Sequence, residues 1–305
     1  MTPRTHMRHA PEDIPFRIKV KHRVVNAVAE GLIRTLLLLP YAWRVPTMGR
    51  IMSNLVGPAA GYLRRAEANV RFIMPHLPDA EIKRIARGSL DNAGRSLIEI
   101  YSTKRFQARQ KGVAYGGAGF AAFEKAAQDK RPVILVGGHF GNYEASRANL
   151  VHRGYDVSGL YRDLSNPYFN KHYVQALESL NGPGFPQGRK GTAGFVRHLK
   201  DGGQLVLLFD QHVHGAPILD FLGKPACTAI SAAELALRYK ALLVPYFAIR
   251  NPDGLTFRFE MDSPVPHSDP LTMTRTMNDL MSARIRAHPE QWMWISRRWR
   301  PGKIT

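Results

Sequence analysis

Between Lys130 and His288 the chain alternates short, mostly apolar runs with longer segments of helical period, and few folds accept that alternation. Strands are expected at Val133–Val136, Asp156–Tyr161, Gln204–Phe209, Leu242–Ile249 and Thr256–Met261. Helices fit between them, at Tyr143–Arg153, Pro167–Leu180, Thr192–Lys200 and Ile230–Tyr239, and Met273–His288 closes the series. Strands separated by a helix pair most readily in parallel, through a crossover. The pattern therefore predicts an α/β domain with a mostly parallel central sheet flanked by helices. From Gly61 to Ala127 apolar residues recur at three- and four-residue steps, which predicts a helical region ahead of the sheet. No internal repeat or low-complexity linker interrupts the chain. The expected organisation is a basic leader over 1–23, an apolar membrane-associated helix over 24–43, and a single α/β domain with a helical N-terminal part over 44–305.

The most apolar stretch is "VVNAVAEGLIRTLLLLPYAW", Val24 to Trp43, preceded by Arg4, Arg8, Arg17, Lys19, Lys21 and Arg23. Its length approaches the roughly 20 residues that cross a bilayer. Asn26, Glu30 and Arg34, however, stand at four-residue spacing and make one polar stripe on a helix, with Glu30 and Arg34 able to pair. A helix lying in the headgroup region suits that stripe better than a span does. An ordinary globular helix and a true span stay open as alternatives. No small-residue cleavage site follows the run, so a cleaved signal peptide is not expected.

Forty-three Lys and Arg against 24 Asp and Glu leave a formal charge of +19. Such an excess attracts nucleic acid, an anionic membrane or acidic partners, without choosing among them. Cys227 is the single cysteine, which excludes an intramolecular disulfide and a zinc site made of cysteines alone. It reads more readily as a small core residue than as a nucleophile.

In open α/β sheets, sites form beyond the carboxyl ends of the strands. Three polar clusters fall there: "GGHFGNYE" after the first strand, "YRDLSNP" after the second and "FDQHVHG" after the third. His139 and Glu144 are too far apart in phase to share a helix face. They can meet only if His139 precedes the helix and Glu144 points back from its first turn. A carboxylate on one ring nitrogen would fix the tautomer and make the other nitrogen a general base. The alternative is that His139 merely caps the helix.

"HFGNYE" looks like the H-x4-D/E motif of membrane-associated acyltransferases, and its surroundings resemble the bacterial lipid A biosynthesis acyltransferases, the lauroyl/myristoyl transferase family. "LYRDLSNP" resembles that family's Y-R-x-x-x-N-P segment. The D-Q of "LLFDQHVHGAPILDFLGKPACT", followed by F-x-G-x-x-x-x-T, resembles a second, and "HPEQWMWISRRWR" resembles its C-terminal P-x-Q-W-x-W-x-x-R-R. "RRAEANVRFIMPHLPDAEI" is similar to its N-terminal half, so the likeness runs from about Val24 to Lys303. It implies transfer of a fatty acyl group, without a cofactor, from acyl carrier protein to a hydroxyl of a lipid A precursor. The place implied is the cytoplasmic face of the bacterial inner membrane. His139 is then the base, Glu144 its orienting partner, and Arg162 the candidate for the developing oxyanion, ahead of Arg189. Asp210 and Gln211 match the D-Q pair, where they shape the pocket or hold a neighbouring arginine. Arg297 and Arg298 match the R-R, where phosphate pairing and backbone support are both open. Relatives often carry His where this chain has Ser296.

The +19 charge fits an acidic carrier protein, an anionic glycolipid and the inner-membrane surface. No nucleic acid is expected, since no nucleic-acid-binding signature accompanies the charge. Another glycolipid or lipid acceptor is the nearer alternative. Two readings come from other classes. Asp210, His212 and His214 alternate as the ligands of a metal-dependent hydrolase can, although "HGAP" ends the strand too early. A non-catalytic protein that binds anionic lipid or nucleic acid would use the same charge, but leaves the Gly-Gly-His turn unexplained.

Overall fold

The computed structural model describes residues 15–182 and 184–299. Most of the leader, including Arg4 and Arg8, and the terminal Arg300 and Lys303 lie outside the described residues. The expected single apolar helix is divided. Helix α1 (Phe16–Leu37) takes in the basic residues from Arg17 to Arg23, and α2 (Tyr41–Ile51) starts after a break at Leu38–Pro40. Pro40 is the cause: it stands at φ −54° and ψ 147°, at the N-cap of α2, and disfavours helix at the residue before it. No described helix is long and apolar enough to cross a membrane.

A π-helical turn (Met52–Val56) and a short α3 (Gly57–Ala59) lead to α4 (Tyr62–Ile73), the long α5 (Asp79–Tyr101) and α6 (Thr103–Gln110). The α/β part then runs β1 (Tyr115–Gly116), α7 (Gly119–Gln128), β2 (Val133–Gly137), α8 (Tyr143–His152), β3 (Val157–Tyr161), α9 (Pro167–Asn181), β4 (Phe185–Pro186), α10 (Arg189–Lys200) and β5 (Gln204–Leu208). A hairpin of β6 (Ile218–Phe221) and β7 (Lys224–Cys227) follows, then α11 (Ser231–Arg238), β8 (Leu242–Arg250), β9 (Phe257–Met261), α12 (Pro270–Ala287) and a 3-10 turn (Pro289–Gln291).

Seven strands form the main sheet in the order β1-β9-β8-β2-β5-β3-β4. Every pairing is parallel except β8 with β9. The fold is therefore α/β, with a mostly parallel sheet between helices. β2 sits at the centre and is buried along its whole length. One face, through Ile134, Val136 and Leu205, packs with Phe195 and Leu199 of α10, Ala232 to Ala236 of α11, and Met277 and Met281 of α12. The other, through Val133, Leu135 and Val206, packs with Phe123 of α7 and Leu150 of α8. Each fully buried aliphatic side chain contributes about 1.5–3 kcal/mol relative to exposure. A third cluster joins α1 and α2 to α5 through Leu36, Tyr41, Val45, Met48 and Ile98. It continues through Ala145 and Ala148 of α8 and Ala248 of β8, and so ties the N-terminal helices to the α/β part.

Candidate active site

β2 ends at Gly137, and the chain turns through Gly138–Asn142 into α8. Gly138 must be glycine here: a Cβ would stand 2.9 Å from the Asp210 carboxyl carbon. Gly141 has φ +56°, and a Cβ on it would lie 1.8 Å from the Ala248 carbonyl oxygen. The turn is pinned by the C-terminal segment. Gly141 N–H donates to the Gln291 carbonyl at 2.9 Å, and Met293 N–H donates to the His139 carbonyl at 3.0 Å.

β5 lies directly beside β2, with Leu208 opposite Gly137, so the segment leaving β5 arrives next to His139. Asp210 meets the histidine twice. Its Oδ1 is 2.8 Å from His139 Nδ1, and its Oδ2 accepts the His139 backbone N–H at 2.8 Å. The Trp292 indole N–H also donates to Oδ2, at 2.8 Å. Asp210 is 1% exposed. Burial pushes its carboxyl up, but the charge of His139, its ring and backbone N–H donors and the Trp292 indole outweigh this and hold it below its ordinary value. An ionised carboxylate only accepts, so the network assigns the Nδ1 proton to the Asp210 bond and leaves the lone pair on Nε2. The Gln211 amide nitrogen, 3.3 Å from Nδ1, stands beside that bond.

The carboxylate on the imidazole is therefore Asp210, where the sequence suggested Glu144. Glu144 is buried in the first turn of α8 beside Arg147, at 3.5 Å, and its backbone N–H is capped by Asn142 Oδ1. Five positions in one chain segment looked like a meeting distance, but the helix carries Glu144 to the side of the turn where Arg147 lies.

Of the two roles left open for Arg298, phosphate pairing and backbone support, the contacts are those of backbone support. Arg298 is 0% exposed and donates to the carbonyls of Gln211 at 3.1 Å and Cys227 at 2.6 Å, and to Thr228 Oγ1 at 2.6 Å. It fixes the Asp210–Gln211 turn to the end of the hairpin and has no surface to offer a phosphate. Burial lowers its guanidinium to about 10, which leaves it charged at neutral pH. Arg297, Arg162 and Arg189 are exposed. Arg162 follows β3 and Arg189 opens α10, both at the carboxyl edge of the sheet. Ser296, buried, approaches the Gln211 side-chain oxygen at 3.5 Å.

The alternation of Asp210, His212 and His214 does not form a ligand face, because β5 has ended at Leu208 and His212 instead bridges to Thr228. No cluster of three His, Cys, Asp or Glu able to hold a metal occurs among the described residues. Cys227 lies buried in β7.

His139 lines a cavity of about 210 Å³ together with Leu97 and Ile100 of α5, Tyr143, Tyr173 and Met293. Its side chain is 22% exposed, whereas that of its carboxylate partner is 1% exposed. The Tyr143 ring meets the imidazole edge-on, at 5.4 Å between centroids. Trp292, Met293 and the α5 side chains escaped the sequence reading. The W-x-W segment was visible, but nothing in it signalled an indole aimed at Asp210.

A carboxylate-bound histidine at the carboxyl end of the central strand, beside a mainly apolar cavity, has the placement and composition of a ligand site in an α/β sheet. A family model described as bacterial lipid A biosynthesis acyltransferase matches residues 15–301, and the chain belongs to that family. It is an acyltransferase, and the resemblance carried by "HFGNYE", "YRDLSNP" and the C-terminal W-x-W is met. The chain is similar to the lipid A biosynthesis lauroyltransferase of Escherichia coli K12, at 25% identity over 88% of this chain and 89% of that protein. It is also similar to a lipid A biosynthesis acyltransferase of Haemophilus influenzae, at 22% identity over 87% and 85%. The E. coli lipid A biosynthesis myristoyltransferase is 24% identical over 85% and 81%.

Proposed function

We propose that the protein moves a fatty acyl chain from an acyl thioester to a hydroxyl of a lipid A precursor, with His139 as general base. The observation that carries this is His139 itself: Nδ1 is committed to buried Asp210, and the ring lines an apolar cavity at the carboxyl end of β2. Nε2 removes the proton of the acceptor hydroxyl as its oxygen attacks the thioester carbon. The tetrahedral oxyanion collapses, the carbon–sulfur bond breaks, and the leaving thiolate takes the proton from the imidazolium. Asp210 stabilises that imidazolium and keeps the ring in one tautomer. Arg162 is the exposed cation nearest in sequence to the edge of β3 and is our candidate for the oxyanion. Glu144 supports the first turn of α8 from which Tyr143 faces the imidazole.

The donor is an acyl carrier protein, whose acidic surface suits a +19 chain, and Arg189 and Arg297 are exposed to meet the donor or the acceptor phosphates. The site of action is the cytoplasmic face of the inner membrane. Support comes from α1, whose Phe16, Val24, Val25 and Val28 are all more than half exposed beside Arg17, Lys19, Lys21 and Arg23. Leu38, between the two helices, and Trp43 of α2 are exposed as well.

The test is a mass-spectrometric transfer assay in detergent, with mixed-length acyl carrier protein thioesters and a tetra-acylated lipid A precursor. The expected product is heavier by one acyl group and falls a hundredfold or more in His139→Ala, about the contribution of a positioned base. Product from the variant at more than about a tenth of the wild-type rate would rule out the base. No product from folded wild type would move the acceptor to another lipid.

A further inference from the structure

Behind the catalytic turn lies a buried polar cluster that the reaction as described does not use. Glu99 of α5, 0% exposed, is clasped by Arg250 at the end of β8: Nη1 reaches Oε1 at 2.6 Å and Nη2 reaches Oε2 at 2.8 Å. A bidentate pair of this kind is geometrically strict. From it two arms extend to the turn.

In the first arm, Glu99 Oε2 accepts from Asn142 Nδ2 at 2.7 Å. Because the carboxylate can only accept, it dictates which way the Asn142 amide faces. The amide oxygen is thereby directed to the Glu144 N–H, at 3.1 Å, where it caps α8. In the second arm, Arg250 Nε donates to Asn92 Oδ1 at 2.8 Å, which directs Asn92 Nδ2 to the Gly141 carbonyl, also at 2.8 Å. The Gly141–Asn142 pair, two residues beyond His139, is thus held on both sides by one ion pair. A third contact runs outward: Tyr41 OH of α2 reaches Glu99 Oε1 at 3.4 Å. Trp43, two residues on in the same first turn of α2, is exposed, so the cluster also touches the element that faces outward.

A buried pair is weak evidence of stability, because desolvating two charges offsets most of their attraction. Its geometric effect is the more informative one. We propose that Glu99 and Arg250 are positioning residues, which set through Asn142 and Asn92 the angle at which His139 meets the cavity, and so govern turnover more than substrate binding. The inference rests on His139 being the base.

Asn142→Ser separates the roles, since serine still caps α8 but cannot reach back to Glu99. The expected result is a kcat at least tenfold lower, with KM for both substrates within about twofold and an unchanged far-ultraviolet spectrum, because small misplacement of a base is costly. Glu99→Gln should lower kcat similarly. The double variant should be no worse than the more damaged single one, because both cut the same arm. If Glu99→Gln fails to fold, Asn92→Ser takes its place: it severs the second arm while leaving the ion pair intact, and because Asn92 also lines the cavity, only its kcat is read, with a loss of at least tenfold expected. Wild-type kcat in Asn142→Ser, or fully multiplicative losses in the double variant, would overturn the proposal. His139→Ala run in parallel separates the two claims. An active His139→Ala removes the base, whereas an inactive one beside a fully active Asn142→Ser removes only the positioning role.

Discussion

Asp210 grips His139 by ring and backbone at once, with both bonds at 2.8 Å. A carboxylate that holds only an imidazole leaves the histidine free to slide with its loop. One that also takes the backbone N–H ties the position of the residue to the orientation of its ring. Gly138 makes this possible, since any side chain there would displace the carboxylate.

Asp210→Asn should therefore cost a hundredfold or more in kcat while leaving protein yield and donor KM close to wild type. An asparagine can turn its NH2 toward Nδ1, which stabilises the wrong tautomer and no longer supports the imidazolium. A loss below about tenfold, measured in the same transfer assay, would remove Asp210 from the mechanism.

The depressed Asp210 carboxyl also makes a statement about stability. Its folded value lies below its unfolded one, which is about 3.9. Its contribution is thus fully present above about pH 4 and is lost as pH falls through the depressed folded value. Acid unfolding followed by tryptophan fluorescence should show a shallower loss of stability below pH 4 in Asp210→Asn than in wild type. Identical acid limbs would show that the group is not linked to folding.

Arg298→Lys should behave as a stability variant. Lysine cannot fork to the Gln211 and Cys227 carbonyls and Thr228 together, and each buried acceptor left without a donor costs about 1–3 kcal/mol. A lower melting temperature with unchanged KM is expected for the folded fraction. Arg297→Ala, at an exposed position, should melt like wild type. A raised acceptor KM in Arg298→Lys without thermal loss would return Arg298 to substrate binding.

For α1, flotation with vesicles provides the check. The protein should float with anionic vesicles, less with zwitterionic ones, and release as salt rises. Val24→Asp combined with Val28→Asp should weaken that partition about tenfold or more, because it places charges on the apolar surface. Equal flotation of the variant would place the contact elsewhere.

Much of the sheet was legible because its signals are local. The five main strands and the helices between them came within a few residues of their observed ends, since buried strands between glycines and helix caps announce themselves in short windows. The β6–β7 hairpin was missed because its turn is Leu222–Gly223, with both residues at positive φ, where asparagine or aspartate would have been the signal. His139 was found, but its partner was not. Glu144 is near in sequence, whereas Asp210 becomes near only because β2 pairs with β5 and not with β3, and strand order is not written in any local pattern. Glu99, Asn92 and Trp292 were invisible for the same reason: each acts across separations that only the finished sheet brings together.

The pairing order has a consequence for the chain as it is made. β2 cannot acquire its two neighbours until β5 and then β8 have left the ribosome, and closing such long loops delays sheet formation. The N-terminal helices are complete well before then. On the membrane reading, the growing polypeptide is moored by α1 while its catalytic centre is still two unpaired ends, and the enzyme comes into being already at the surface where it works.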